Sequence, residues 1–257
     1  MDAILTAGGT PKPGEPLYEY TQGKPKALLD IAGKPMLQWV LDAFIHSPRV
    51  EHIVLVGFTE PEAVRCTKPL FHVPDQDDML ANIRAGMVKS LEVNPDQTHV
   101  LMAASDIPGI TGSMVDWVVE NSTKNNADLI YNVVRKETME KRFPAANRTY
   151  LRLRDGDYCG GDLGAVRADL ELIDREIWHV LISQRKNPVR QALTVGLDTL
   201  FGVITRTATL DRTVKRACRS LKIYGVAVEC PWAEIAMDVD KPHQLEILRA
   251  DMKGEKR

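Results

Sequence analysis

The sequence predicts an α/β chain wound about a mostly parallel sheet, and three observations carry that prediction. Short apolar runs recur at residues 3–7, 53–56, 100–104 and 129–134. Stretches with helical apolar spacing lie between them, at 35–45, 79–91 and 113–121. The chain has 257 residues, 44% of them hydrophobic, and a formal net charge of −2. That is enough apolar material for a full core and too little net charge for disorder. Strands alternating with helices give a doubly wound sheet with right-handed crossovers.

The elements follow in order. Residues 3–7 read as a buried strand that ends in Gly8-Gly9-Thr10. The stretch 11–25 is rich in proline and glycine and reads as a loop. Residues 27–31 form a short turn or strand. The next helix opens on Pro35, with Met36, Leu37, Val40, Leu41 and Phe44 on one stripe. A strand at 53–56 precedes a short helix at 61–70 and a short strand at 71–73. Met79, Ile83, Met87 and Leu91, four apart, mark a helix over 79–91. The strand at 100–104 ends at Ser105-Asp106-Ile107-Pro108, and a helix over 113–121 leads to the strand at 129–134.

The pattern changes after residue 143. A strand at 150–153 and a turn at 155–157 precede helices over 169–183 and, in pieces, over 189–218. A strand at 223–228 and a helix at 242–252 close the chain. With no repeat and no clear linker, residues 1–257 read as one domain with a helical insertion near 170–220. In that insertion the apolar stripe around Leu197, Leu200, Phe201, Val203 and Ile204 is read first as core. A homodimer patch or a membrane-proximal patch is the alternative. Arg185, Lys186, Arg190, Arg206, Arg212, Lys215, Arg216 and Arg219 make this half locally cationic, as a solvated face or as a surface for an anionic acceptor or lipid headgroup.

Charge and cysteine usage exclude several classes. Lysine plus arginine total 33 against 35 acids, which argues against a nucleic-acid binder. Cys66, Cys159, Cys218 and Cys230 are scattered, with no C-x-x-C pair, so reduced thiols in a cytoplasm are expected. The N-terminus carries an acid and no basic run, unlike a signal peptide, and no apolar run reaches the ~20 residues of a transmembrane helix.

Three segments carry chemistry. Glycines after a first strand let backbone approach a ligand beyond the carboxyl ends of the sheet, although neither a dinucleotide fingerprint nor a Walker loop is present. Lys26, set behind Pro25, suits an anionic ligand such as a triphosphate. Asp106, at the end of an apolar strand, suits magnesium, a hard cation that takes carboxylates together with substrate phosphates. In Met237-Asp238-Val239-Asp240-Lys241-Pro242, Asp240 is expected to cap the following helix, which leaves Asp238 as the second metal carboxylate. The six histidines show no metal-ligand spacing.

Together these pieces resemble the MobA-like NTP transferase domain family of the nucleotidyltransferase superfamily. The carrying residues are Leu5-Thr6-Ala7-Gly8-Gly9-Thr10, Lys24-Pro25-Lys26-Ala27-Leu28-Leu29, Ile31-Ala32-Gly33-Lys34-Pro35-Met36-Leu37, Asp106, and Asp238-Val239-Asp240-Lys241-Pro242. The resemblance implies a Rossmann-like nucleotidyltransferase fold and a Mg2+-dependent transfer of a nucleoside monophosphate from a nucleoside triphosphate to a phosphorylated small-molecule acceptor, with release of pyrophosphate. It implies that Ala7, Gly8, Gly9 and Thr10 hold the nucleotide, that Lys26 neutralises the triphosphate and that Asp106 and Asp238 hold the metal. Asp78 and Asn82 are the candidates for reading the base, and Gly161 and Asp162 for the acceptor. Many members carry an arginine on the phosphate loop. Here Lys12 is the only basic residue between Gly9 and Lys24, so either Lys12 substitutes or the triphosphate is held differently. Two other readings compete. A metal-dependent GT-A-type glycosyltransferase would want Asp-x-Asp where this chain has Asp106-Ile107-Pro108. A non-catalytic nucleotide-binding regulatory domain would bind nucleotide and release no pyrophosphate.

Overall fold

A computed structural model of the chain describes residues 1–170, 205–220 and 222–254. The first strand, β1 (Ala3–Thr6), is central. Its Ala3, Ile4 and Leu5 are apolar and fully buried, as in a strand covered on both faces. It pairs in parallel with β4 (Ile53–Val56) on one side and β6 (His99–Ala104) on the other. Beyond β4 lies β5 (Leu70–Val73), also parallel. The hairpin β2 (Asp30–Ile31) and β3 (Lys34–Pro35) stands apart as a two-stranded piece.

The second half of the sheet is mixed. β10 (Leu163–Arg167) inserts antiparallel between β6 and β7 (Leu129–Arg135). β9 (Gly156–Gly160) pairs antiparallel with β7, and β8 (Leu151–Leu153) with β9. β11 (Gly225–Glu229) returns parallel to β7. Among the described residues the sheet has nine strands, and β1, β4, β5, β6, β7 and β11 all run the same way.

Helices cover both faces. Alternation along β1 sends Ala3 and Leu5 to one face and Ile4 to the other. On the first face lie α2 (Met36–His46) and α4 (Gly112–Lys124), whose buried Met36, Leu37, Val40, Leu41, Phe44, Val115 and Val118 form the main core. On the second face lies α3 (Met79–Val93), with Met87 against Ile4, Val54, Val56 and Val100. A Cβ on Gly86 of α3 would come within 2.5 Å of Ile4 Cγ2, so the missing side chain sets how closely that helix sits. The remaining helices are α1 (Tyr18–Thr21), α5 (Lys136–Arg142), α6 (Leu210–Ser220) and α7 (Pro242–Met252). No helix among the described residues is long and apolar enough to cross a membrane.

Several expectations need correction. The short helix at 61–70 is a single 3-10 turn, Pro61–Ala63, followed by irregular chain and then by Leu70 in β5; Pro69 disfavours helical backbone at the residue before it. The turn expected at 155–157 falls at Arg154-Asp155, the tip of the β8–β9 hairpin, with Gly156 and Asp157 already paired in β9, and β9 and β10 were not expected as strands. The helix at 169–183 and most of the proposed insertion lie outside the described residues. Its described end, α6, is helical.

Candidate active site

The parallel register brings the ends of β1, β4 and β6 level: Thr6 stands beside Val56 and Ala104. The chain after each strand therefore opens onto one edge, where open α/β sheets place ligands. Ala7 N–H donates to the Val56 carbonyl at 2.8 Å, and Ser105 N–H to the Thr6 carbonyl at 3.0 Å, extending the ladder into the turn. Gly57 has φ +80°, and a Cβ there would sit 2.8 Å from Gly8 Cα, so only glycine lets these two turns touch. A Cβ on Gly8 would meet Asp75 Oδ1 at 3.0 Å, whereas Gly9 faces open space.

A cleft of about 340 Å³ opens at this edge, within the size range of small-molecule sites. Ala7, Gly8, Gly9, Lys26, Ser105 and Asp106 form one wall, and Asp75, Asp77, Asp78 and Asn82 form an acidic rim on the other. Asp78 caps α3, accepting from the N–H groups of Leu80 and Ala81 at 2.9 and 3.4 Å. Asn82 is buried; it donates to Asp75 Oδ1 at 2.7 Å and accepts from Gln76 N–H at 2.8 Å. Asp77 holds a left-handed φ of 59°, a conformation aspartate tolerates at a tight turn. A second cleft, of about 380 Å³, shares Gly9 and Lys26 and adds Thr10, Glu15, Leu17 and Asp240. Lys12 lines neither cleft; it is exposed, and its backbone N–H donates to Glu15 Oε2.

Lys26 joins the two clefts. Its backbone N–H donates to the Gly9 carbonyl at 2.8 Å, which ties it to the glycine turn. Its ammonium donates to Asp106 Oδ2 at 2.7 Å and to Asp240 Oδ1 at 2.8 Å. Burial works against this charge, but Asp106 and then Asp240 outweigh it, so the lysine pKa is held above its ordinary value. The chain before α7 is anchored to the same strand end, since Val239 N–H donates to the Asp106 carbonyl at 2.9 Å. Asp240 does not cap α7. That task falls to Gln244, whose side-chain oxygen accepts from the N–H groups of Asp240 and Lys241.

Asp238 is buried and ion-paired with Arg148. Asp162 connects the two halves. Burial, then repulsion from Asp106, pushes its carboxyl up to about 7, with Asp240 adding to the shift and Arg148 and Lys26 opposing it. Gly160 and Gly161 make this turn fit. A Cβ on Gly160 would overlap the Tyr131 hydroxyl, and one on Gly161 would reach Ile235 Cγ2 at 2.7 Å. Asp162 N–H donates to the Ile235 carbonyl at 2.9 Å, and the Asp162 carbonyl accepts from Ala104 N–H at 3.1 Å.

The glycine turn, the lysine behind it and the aspartate after β6 fall in a stretch that one family model matches from residue 3 to residue 193 of the 257, that of the MobA-like NTP transferase domain. The chain belongs to this family. A solved structure of a hypothetical transferase from Thermus thermophilus is 30% identical, with a TM-score of 0.80 over 95% of this chain and 100% of that one. The bifunctional protein GlmU of Thermoanaerobacter pseudethanolicus is 28% identical over 116 residues, 44% of this chain. The matched stretch is only 25% of that relative's length. The 4-diphosphocytidyl-2C-methyl-D-erythritol synthase of Anaerococcus prevotii shares the fold at 13% identity, with a TM-score of 0.59 over 98% of this chain and 95% of that one.

Within this nucleotidyltransferase family fold, the structure brings Ala7, Gly8, Gly9, Lys26, Asp78, Asn82 and Asp106 to one cleft and Thr10 to its neighbour. Gly161, Asp162 and Asp238 lie outside the first cleft's lining, although Asp162 feels the charge of Asp106. Sequence reasoning did not single out Asp75, Asp77, Ser105, Tyr131 or Arg148. The run Asp75-Gln76-Asp77-Asp78 was the available signal for the rim. Arg148 had none, because its role depends on a contact across 90 residues of chain to Asp238.

Proposed function

We propose that this chain is a Mg2+-dependent nucleotidyltransferase, carried by one domain over residues 1–257, that moves a nucleoside monophosphate from a nucleoside triphosphate to a phosphorylated small-molecule acceptor and releases pyrophosphate. The observation that carries this reading is the Lys26 ammonium, fixed to the glycine turn through its backbone and shared between Asp106 and Asp240 at 2.7 and 2.8 Å.

The residues present fit a divalent cation. Asp106, Asp162, Asp238 and Asp240 face Lys26 and Arg148, so four carboxylates against two cations leave two negative charges when all are ionised. Asp106 Oδ1 is buried and has no hydrogen-bond partner among the described residues, a costly state for a carboxylate oxygen unless an ion takes it. Asp106 and Asp238 would hold the metal, and Asp240 would keep Lys26 in place. Bound there, magnesium would supply neutralising charge for phosphoryl oxygens.

The chain's own groups do the rest. The open backbone of Gly8 and Gly9, beside Ala7, receives the nucleotide, and Asp75 and Asp77 offer acceptors to a base that donates through an amino group. Lys26 stays protonated, follows the charge that builds on the leaving pyrophosphate, and trades a carboxylate for a phosphoryl oxygen as it does so. An oxygen of the acceptor phosphate attacks the α-phosphorus in line; the new P–O bond forms as the bond to the pyrophosphate oxygen breaks. A phosphate monoester is largely ionised near neutral pH, so no general base is required.

A pyrophosphate-release screen tests the reading, with four nucleoside triphosphates against sugar-phosphate, polyol-phosphate and pterin acceptors. One pair is expected to turn over, and Asp106→Ala is expected to abolish turnover while leaving the cooperative thermal transition intact. Nucleotide binding without pyrophosphate release in any pairing would instead favour a regulatory domain.

A further inference from the structure

We propose that Arg148 is the subsite for the acceptor's phosphate, the group that attacks the nucleotide. This rests on nucleotidyl transfer and narrows where the second substrate sits. Arg148 follows a segment pinned from inside: Phe143 and Ala146 are buried, and the Ala146 carbonyl accepts from His243 Nε2 at 3.0 Å. The guanidinium is therefore placed rather than swinging in water, with 16% of its side chain exposed.

Its bonding is incomplete. One terminal nitrogen pairs with Asp238 and the guanidinium also reaches the Cys159 sulfur, while Nε is buried and meets no acceptor among the described residues. Arginine presents five donors in a planar fork, and a buried donor left unmade is costly. The edge that carries Nε fits two oxygens of a phosphate side by side, a match a lysine does not make.

Its position suits the second substrate. Arg148 acts electrostatically on Asp162, Tyr131, Tyr150 and Cys159, and Asp162 in turn feels Asp106 and Lys26. Arg148 and the Lys26–Asp106 pair thus act on the same carboxyl, and Arg148 lies outside the lining of the nucleotide cleft. A phosphate held there is beside the reacting end of the triphosphate and leaves the acidic rim to the base. The exposed Tyr131, whose hydroxyl lies over Gly160, forms a neighbouring surface for the rest of the acceptor.

The test uses the full chain in magnesium buffer. The α,β-methylene analogues of the four nucleoside triphosphates are titrated into wild type by calorimetry. Inorganic phosphate is then titrated with the best-binding analogue at saturation, into wild type, Arg148→Lys and Arg148→Gln. Phosphate affinity is expected to fall roughly tenfold to a hundredfold in Arg148→Gln and less in Arg148→Lys, as for loss of a charged hydrogen bond. Analogue affinity is expected to stay within about twofold, which separates a substrate contact from a general packing defect. Equal phosphate affinity in wild type and Arg148→Gln overturns the assignment, as does parallel loss of analogue and phosphate binding. If no analogue binds wild type, nucleotidyl transfer itself fails, and that outcome is distinct from the first.

Discussion

Lys26 holds two carboxylates that belong to different parts of the chain, and this makes it both a structural pin and a mobile charge. The Asp106 partner is largely buried, while Asp240 is 59% exposed. The exposed partner is the one an incoming polyphosphate displaces at lower cost, because a solvated carboxylate is readily rehydrated. Lys26→Met is therefore expected to reduce kcat for pyrophosphate release by on the order of 10²–10³, the usual cost of removing one donor from a developing charge. Asp240→Asn leaves the ammonium on Asp106 and is expected to cost about tenfold, in the range seen when a supporting partner is lost. Steady-state kinetics on the two variants measures the difference, and equal losses would contradict the division of roles.

At the scale of elements, the site depends on how closely two strand-end turns pack. Gly57→Ala puts a methyl 2.8 Å from Gly8 Cα at a positive φ. It is expected to destabilise the protein by roughly 1–3 kcal/mol and to raise KM for the nucleotide, since the Gly8 turn must shift. Gly9→Ala meets nothing within 4 Å, so it is expected to leave stability nearly unchanged and to act on nucleotide KM alone. Denaturant unfolding and substrate titration read the two effects separately. The same elements show what a sequence can and cannot reveal. β1, β4 and β6 were legible because strands buried on both faces are apolar runs, and α2 because its stripe starts cleanly after Pro35. β9 and β10 were not. Gly156, Gly160 and Gly164 depress strand propensity, yet Gly164 is bare because a Cβ there would meet the Ile130 carbonyl at 2.8 Å. α5 was missed because Met139 is its one buried side chain and leaves no stripe to read. Lys26 and Asp106 stood out by their place after a turn and a strand. The choice between Asp238 and Asp240 could not be read locally, since it is made by Arg148 and Lys26 from elsewhere in the chain.

Across the whole molecule, the site gathers segments far apart in sequence: Lys26 meets Asp106 across 80 residues and Asp240 across 214. Like charges assembled over such distances are held by the fold against their own repulsion, so stability and pH must be linked. Asp162 shows it most clearly. Its carboxyl, pushed up to about 7 by burial and by Asp106, keeps a proton that the unfolded chain releases near pH ~3.9. Between those two values the folded state binds more protons than the unfolded state. Stability contributed by this group is complete below the unfolded pKa, declines as pH rises through the window, and levels off above the folded pKa. Asp162→Asn removes the titration. In chelator, its thermal midpoint is therefore expected to lie above that of wild type at pH 8, with the gap closing as pH falls toward 4. Magnesium at pH 8 favours ionised carboxylates, so it is expected to raise the wild-type midpoint and to do so much less in Asp106→Asn, because a ligand stabilises only the state that binds it. Thermal scans at pH 4, 6 and 8, with and without magnesium, read both effects, and a wild-type midpoint that tracks Asp162→Asn at every pH would remove Asp162 from the shared electrostatic group.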